Sequence, residues 1–188
     1  MYAVKGHHLR PLFCFSNLTD VSLAPPVGFD LDDVTVSDMA RAWPHIQWLI
    51  LGAGSYAHVA SRVTLQGLYA FAQHCPELHF LQISLDASAV PLMELCGKTR
   101  VSQGRLTTLR VPCSTIVAPI SVVAFLSSIF PKLSHISTER DLTDNQDEGE
   151  PDATAIMYHQ YWKFVELMLP VLETVREEER YWAQNSGL

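Results

Sequence analysis

A glycine-rich segment is the first place in this sequence where residue types and spacing could support chemistry. Residues 52–57 read Gly-Ala-Gly-Ser-Tyr-Ala and follow a predicted strand, which loosely matches the loop that holds a dinucleotide phosphate at a helix N-terminus. That function also needs an acidic side chain after a second strand, and no residue here fills that place. We therefore interpret the segment as the turn that leaves the strand.

Histidine and cysteine side chains could bind a metal or act in catalysis. The chain has eight histidines, yet neither the pair His7-His8 nor the pair His74-Cys75 has partners at zinc-binding spacing. The sequence motifs of serine hydrolases, zinc peptidases and P-loop proteins are absent. We predict no enzymatic activity, no cofactor and no metal site, and we expect the histidines to be core or surface residues.

The four cysteines are scattered rather than arranged as a disulfide framework. Neither Cys14 nor Cys96 lies in a recognisable cysteine motif. Cys75 and Cys113 lie next to repeated apolar positions, so we expect them to be small core residues. Free thiols indicate a reducing compartment, and residues 1–12 lack the apolar segment of a signal peptide. We therefore predict a cytoplasmic or nuclear location.

Composition excludes two classes of partner. The 188 residues carry a formal net charge of −7, whereas a nucleic-acid-binding surface needs clustered positive charge. Although 48% of the residues are hydrophobic, no stretch reaches the roughly 18 successive apolar residues of a membrane span. We expect neither nucleic acid nor membrane as a partner.

Five short apolar segments recur along the chain at nearly constant intervals. Each reads apolar-x-x-apolar-x-apolar or a close variant, and their first apolar positions are separated by 28, 32, 28 and 27 residues. A period near 28 with this pattern is typical of leucine-rich repeats. We predict an α/β leucine-rich-repeat solenoid of parallel strands in sequential order. The predicted strands are residues 18–23, 46–51, 78–83, 106–111 and 133–137.

Helices are predicted before three of these strands. Over residues 36–43, 65–75 and 120–130, apolar side chains recur at the spacing of one helix face. A proline follows each segment, and proline ends a helix because it disfavours helical geometry in the residue before it. We place these helices on the convex side and predict loops at residues 27–34 and 87–104.

The chain divides into four predicted regions. We interpret residues 1–16 as the tail of a truncated upstream repeat, residues 17–138 as the repeats, and residues 139–152 as an acidic loop. Residues 153–188 are predicted to form a helical cap that closes the solenoid, with Pro170 kinking or dividing the helix. The apolar pattern of this cap consists of Ile156, Tyr161, Phe164, Leu167, Met168 and Leu172.

The outward side chains of adjacent strands form two rows on the predicted concave face. The first row is Asp20, Trp48, Phe80, Thr108 and His135. The second row is Ser22, Ile50, Gln82, Arg110 and Ser137. Two adjacent exposed aromatic side chains predict an apolar patch, unless a loop or the acidic segment covers them, and we expect no comparable cluster on the helix side. We predict a protein-binding site composed of Trp48, Ile50, Phe80, Gln82, Arg110 and His135.

A family resemblance accompanies this pattern and is carried by residues 15–19, 39–51, 63–88, 123–136 and 169–179. Together these stretches resemble the C-terminal repeat region of fungal F-box proteins. In that family an N-terminal F-box binds the adaptor of a cullin ubiquitin ligase, and the repeats select substrates. No F-box-like helical segment precedes the first predicted strand. Contact with a ligase adaptor is therefore expected only through a missing N-terminal segment.

These observations predict a protein–protein recognition module. The resemblance implies that it is the substrate-binding part of an F-box-type ubiquitin ligase receptor. The alternative is a free-standing leucine-rich-repeat scaffold or inhibitor protein with no link to a ligase.

Overall fold

The computed structural model describes residues 2–52, 61–91, 101–138 and 153–185, so the predicted acidic loop lies outside the described residues. The described strands are β1 (Val4–Lys5), β2 (Asp20–Leu23), β3 (Phe29–Asp30), β4 (Trp48–Leu51), β5 (Phe80–Gln82), β6 (Asp86–Ala87), β7 (Thr108–Arg110), β8 (Thr115–Ile116) and β9 (His135–Ser137). The described helices are α1 (Gly6–Leu9), a 3-10 helix (Arg10–Cys14), α2 (Asp33–Ala42), α3 (Leu65–His74), α4 (Pro119–Ile129) and α5 (Ala153–Asn185).

A five-stranded parallel sheet runs through the molecule in the order β2-β4-β5-β7-β9. Leu49 of β4 lies opposite Leu81 of β5, which in turn lies opposite Leu109 of β7. All three are buried, and because side chains alternate along a strand, their neighbours point to the other face of the sheet. The predicted strands and their sequential parallel order are confirmed, although each strand begins two residues later than predicted.

Helices α2, α3 and α4 supply the other half of the core. Positions predicted to share one apolar helix face are buried in all three helices; they are Val36, Met39, Ala40, Trp43, Leu68, Phe71, Ala72, Cys75, Val123, Leu126, Ser127 and Phe130. At the helix ends, the N–H groups of Trp43, Cys75 and Phe130 donate to the carbonyl oxygens four residues earlier. The prolines that follow stop each helix there, as predicted.

A second row of parallel pairs accompanies the five-stranded sheet. β1 pairs with β3 and β6 pairs with β8, and single bridges extend the row between them. Aspartate side chains hold it together: Asp33 Oδ1 accepts a hydrogen bond from Thr64 N at 2.7 Å, and Asp86 Oδ1 accepts one from Thr115 Oγ1 at 2.8 Å. The prediction that residues 27–34 form only a loop is wrong, because β3 occupies part of this segment.

The connection into β7 depends on the buried side chain of Gln103. Its Nε2 donates to Leu78 O at 2.7 Å, and its Oε1 accepts from Leu106 N at 2.8 Å. The amide thereby links the entrances of β5 and β7. Of the loop predicted at residues 87–104, residues 92–100 lie outside the described residues.

The segment before β2 packs on α2. Trp43 Nε1 donates to Leu12 O at 3.2 Å, and the rings of Phe13 and Trp43 meet edge to face with 5.7 Å between centroids. Phe15, two residues after Phe13, is exposed. Residues 1–16 thus contribute β1, α1 and the 3-10 helix to this end of the molecule.

Helix α5 is continuous, so Pro170 does not divide it. The side chains that it buries are those of Trp162, Val165 and Leu169. Phe164 and Leu167 belonged to the predicted apolar pattern, but both are exposed, Leu167 to 71%. The helix carries apolar residues on more than one side, and their periodicity alone does not decide which side is buried.

Two hydrogen bonds attach α5 to the strands beside it. Trp162 Nε1 donates to Ser114 O at 3.1 Å, and Glu166 Oε1 accepts from Ile136 N of β9 at 3.1 Å. The second contact occupies a backbone donor of the edge strand, which would otherwise be open to another chain. Among the helices of the described residues, none combines the length and the apolar character required to cross a membrane.

Candidate functional site

The outer sheet face is the side of the five-stranded sheet opposite the core, and it carries a pair of stacked aromatic rings. It consists of the outward side chains of β2, β4, β5, β7 and β9. The indole of Trp48 lies on the ring of Phe80 with 4.1 Å between centroids and 3° between planes. The two residues are paired across β4 and β5, and cross-strand aromatic pairs in such positions attract one another. Trp48 remains 44% exposed.

Phe80 is buried, which corrects the prediction of two exposed aromatic side chains. Only 6% of it is accessible, although it points to the side opposite Leu81. Trp48 covers one side of the ring, and the guanidinium carbon of Arg110 lies 5.3 Å from the ring centroid, within the range of a cation–π contact. Trp48, Phe80 and Arg110 therefore form a continuous stack across β4, β5 and β7, with Phe80 inside it.

Arg110 contributes an uncompensated positive charge to this stack. Across the part of the chain that the structure describes, no carboxylate oxygen lies within 4.0 Å of its guanidinium nitrogens. Arg110 is the only lysine or arginine in the two outward rows. The outer sheet face thus presents an indole surface and a guanidinium that contacts a ring and has no counter-ion among the described residues.

Ile50 and Gln82 occupy the second row beside the stack, where they are paired in register and half-buried. Gly52 follows β4 at the level of these side chains. A Cβ atom built on Gly52 would lie 3.2 Å from Gln82 Nε2, so the missing side chain leaves room for the amide. This close approach is what the structure shows for the glycine-rich segment; residues 53–57 lie outside the described residues.

His135 lies at the far edge of the sheet rather than beside the stack. It is paired with Thr108, and its Nδ1 lies 3.7 Å from Glu166 Oε1 of α5. The same Glu166 side chain accepts a hydrogen bond from Lys163 at 2.8 Å. Of the six residues predicted to bind a partner, five are therefore grouped around the stack, and His135 belongs to the contact between β9 and α5.

Asp20 gives the opposite end of the outer sheet face a negative charge. It is paired with Trp48 across β2 and β4, and its Oδ2 accepts a hydrogen bond from Thr19 Oγ1 at 2.8 Å. Across the outer sheet face the charge therefore changes from acidic at Asp20, beside Trp48, to basic at Arg110 of the second row, where it meets Phe80.

Helix α5 carries a second exposed apolar surface, which contradicts the expectation that the helix side has none. Its exposed residues are Met157, Phe164, Leu167, Val171, Val175, Tyr181 and Trp182. Apart from Tyr181, successive members of this set are three, four or seven residues apart, but three- and four-residue spacing also holds for the buried residues of this helix. Nothing in the described residues covers this surface.

The residues considered for other chemistry do not form a site. Burial raises the pKa of the Cys75 thiol to about 12, and its predicted core position is confirmed. Cys113 is exposed, so its predicted core position is wrong: it has a positive φ of 49° in the turn after β7. Within the described residues, no three histidine, cysteine, aspartate or glutamate side chains come together as metal ligands would.

A cavity of about 160 Å³ lies between α5 and the end of α4. Its charged groups already have partners. Lys132 Nζ is 2.6 Å from Glu173 Oε1, and Arg176 donates to Ser127 O. These contacts attach α5 to α4 and to the segment that follows α4, so the charged groups of the cavity are already engaged within the protein.

A scan of the chain against protein-family models and a search of curated proteins both find no match. The fold defines an α/β protein built on a five-stranded parallel sheet. Its most distinctive exposed feature is the stack of Trp48, Phe80 and Arg110.

Proposed function

We propose that this protein is a leucine-rich-repeat solenoid. Five parallel strands follow one another at a spacing of 27 to 32 residues. Three of them are preceded by helices that bury equivalent positions. The second row of parallel pairs also advances once per repeat over much of the chain, as expected when each unit contacts only its neighbours.

The proposed function is recognition of another protein through the outer sheet face, the concave face of such a solenoid. The observation that carries the proposal is the stack of Trp48, Phe80 and Arg110. Tryptophan and arginine are the residue types that most often dominate the free energy of protein association. The stack holds both side chains in place before binding, which reduces the entropy cost of ordering them in a complex.

The proposed setting is substrate binding in an F-box-type ubiquitin ligase receptor. Support for this setting comes from the sequence resemblance described above. The alternative is a free-standing scaffold or inhibitor protein. Purification of the full-length gene product from cells separates the two, because a receptor copurifies with the ligase adaptor and a free-standing repeat protein does not.

Site-specific photo-crosslinking tests the binding face. A benzophenone amino acid replaces Ser22, an exposed residue of the outer sheet face, and in a matched variant replaces Gln73, an exposed residue of α3. We expect a discrete cross-linked protein from position 22 that disappears when Trp48→Ala is added, and none from position 73. Cross-linking from position 73 alone would contradict the proposal.

A further inference from the structure

We infer that the outer sheet face binds an extended, acidic segment of a partner protein. In this complex a carboxylate pairs with Arg110, and a neighbouring apolar side chain packs on Trp48. The inference rests on the proposed function, because it specifies the partner of the same site.

The state of Arg110 provides the first argument. Its guanidinium is placed over the Phe80 ring, and within the described residues it has no carboxylate partner. A guanidinium offers a planar fork of N–H donors that matches the two oxygens of a carboxylate. The ring contact is not a hydrogen bond, and within the described residues the guanidinium N–H groups have no carboxylate acceptor, so these donors remain available. A partner carboxylate would satisfy them without displacing the ring contact.

Charge along the row sets the position of the acidic group. Asp20 is paired with Trp48 on the β2 side, so a partner carboxylate at that end would meet a like charge. His135, at the β9 edge, lies against Glu166. Arg110 is therefore the position on the outer sheet face where a carboxylate meets an unpaired positive charge.

The spacing of the strands gives the spacing in the partner. Trp48 is in register with Thr108, two residues before Arg110, but both side chains reach the Phe80 ring. The indole centroid and the guanidinium carbon lie 4.1 Å and 5.3 Å from the Phe80 ring centroid, so they are within about 10 Å of each other. An extended chain advances roughly 3.3 Å per residue. A segment that crosses the strands therefore brings an apolar residue to Trp48 and an acidic residue to Arg110 when the two are two or three positions apart.

The inference is tested with a random peptide library displayed on phage. The library is selected on the immobilised whole chain and counter-selected on the Arg110→Gln variant. We expect the enriched sequences to contain Asp or Glu two or three positions from a large apolar residue. A synthetic peptide of this kind should bind Arg110→Gln at least about tenfold more weakly than the parent, because a hydrogen-bonded charge pair is lost.

Two controls separate this contact from general attraction. Arg105→Gln removes an equal charge from an exposed side chain outside the stack and should change the affinity by less than about twofold, as expected for an exposed charge that makes no contact with the peptide. Replacing the acidic residue of the peptide with its amide should cause the same tenfold loss on the parent protein and none on Arg110→Gln. This double-mutant cycle measures the pair itself and does not depend on the stability of any one variant.

The possible failures are distinguishable. If the enriched peptides require Trp48 but lack an acidic residue and bind Arg110→Gln normally, the inference is wrong and the proposed function stands. Equal weakening by Arg105→Gln and Arg110→Gln also overturns the inference. If no enriched peptide depends on Trp48, the proposed function fails and the inference fails with it.

Discussion

A single buried amide joins two units of the fold at Gln103. Trp43, Cys75 and Phe130 occupy the equivalent buried position in the segments that lead into β4, β5 and β9. Gln103 fills the space with polar atoms and bonds both Leu78 O and Leu106 N. Because its partners are backbone groups of two successive turns, the side chain fills space in the core and also fixes the backbone of both turns by hydrogen bonds.

Gln103→Leu should therefore lower the free energy of unfolding although leucine has a similar size. The substitution leaves buried backbone groups without partners, which costs about 1–3 kcal/mol. Chemical denaturation measures this loss. Gln73→Leu, on the exposed side of α3, is the control and should change the free energy by less than about 0.5 kcal/mol. Equal effects of the two substitutions would show that the amide bonds contribute nothing.

The Asp32 carboxylate makes the stability of α2 depend on pH. Hydrogen bonds from the backbone N–H of Thr35 and then from its hydroxyl lower the pKa of the Asp32 carboxyl. The resulting stabilisation is present above the pKa of the unfolded chain, ~3.9, and is lost as the pH falls through the lower folded value.

Asp32→Asn retains an oxygen that can cap α2 but does not titrate. The free energy of unfolding should therefore fall less steeply for Asp32→Asn than for the parent between about pH 5 and pH 2. Denaturation curves at several pH values measure the two slopes. Identical slopes would contradict the role assigned to this carboxylate.

Phe80 shows what the sequence could and could not predict about a residue. Alternation along the strand placed it correctly on the face opposite Leu81. Its burial depends on the side chains of two other strands, Trp48 and Arg110, whose rotamers are not determined by strand periodicity. The position of each predicted site residue was therefore available from the sequence, but the stack was not.

At the scale of elements, the sheet is held by one apolar row. Val21, Leu49, Leu81, Leu109 and Ile136 lie opposite one another in successive strands and are buried. Leu81→Ala should cost about 2–5 kcal/mol, because apolar contact is lost and a cavity remains. Ser22→Ala, on the outer sheet face, is the control for thermal and chemical unfolding. A loss for Leu81→Ala no larger than that of the control would mean that this residue does not face the core.

One attachment of helix α5 to the rest of the molecule is Trp162, which is buried and donates a hydrogen bond to Ser114 O. Trp162→Ala should cost about 3–5 kcal/mol, whereas Trp162→Phe retains most of the packing and loses the hydrogen bond, at about 1 kcal/mol. Denaturation of both variants measures the difference. If Trp162→Ala unfolds like the parent, α5 does not stabilise the fold.

The elements divide into those that periodicity reveals and those that it does not. The five strands and α2, α3 and α4 were predictable because a buried face repeats in each. The two-residue strands β1, β3, β6 and β8 were not, because so short a segment contains no full alternation. The apolar face of α5 was predicted only in part: Tyr161, Met168 and Leu172 pack against the core. Phe164 and Leu167 are exposed, although they follow the same helical spacing as the buried residues.

The described part of the molecule presents two exposed apolar surfaces, and partner binding is proposed for one of them. The outer sheet face combines a stacked tryptophan with an arginine that has no carboxylate partner within the described ranges. The exposed surface of α5, in contrast, consists of apolar side chains. The order of strands could be predicted from the repeat spacing because each unit pairs with the next along the chain. The exposed apolar surface of α5 could not be predicted, because it depends on which side of α5 packs against α4.

Two exposed tryptophans make a direct comparison of these surfaces possible. Trp48 lies on the outer sheet face and is 44% exposed, and Trp182 lies on α5 and is 68% exposed. The measurement is the affinity of the cross-linked partner protein for Trp48→Ala and for Trp182→Ala, with a melting curve for each variant. Trp48→Ala should weaken binding by about 1–3 kcal/mol while the protein remains folded, and Trp182→Ala should leave binding unchanged. Loss of binding in Trp182→Ala together with normal binding in Trp48→Ala would contradict the account.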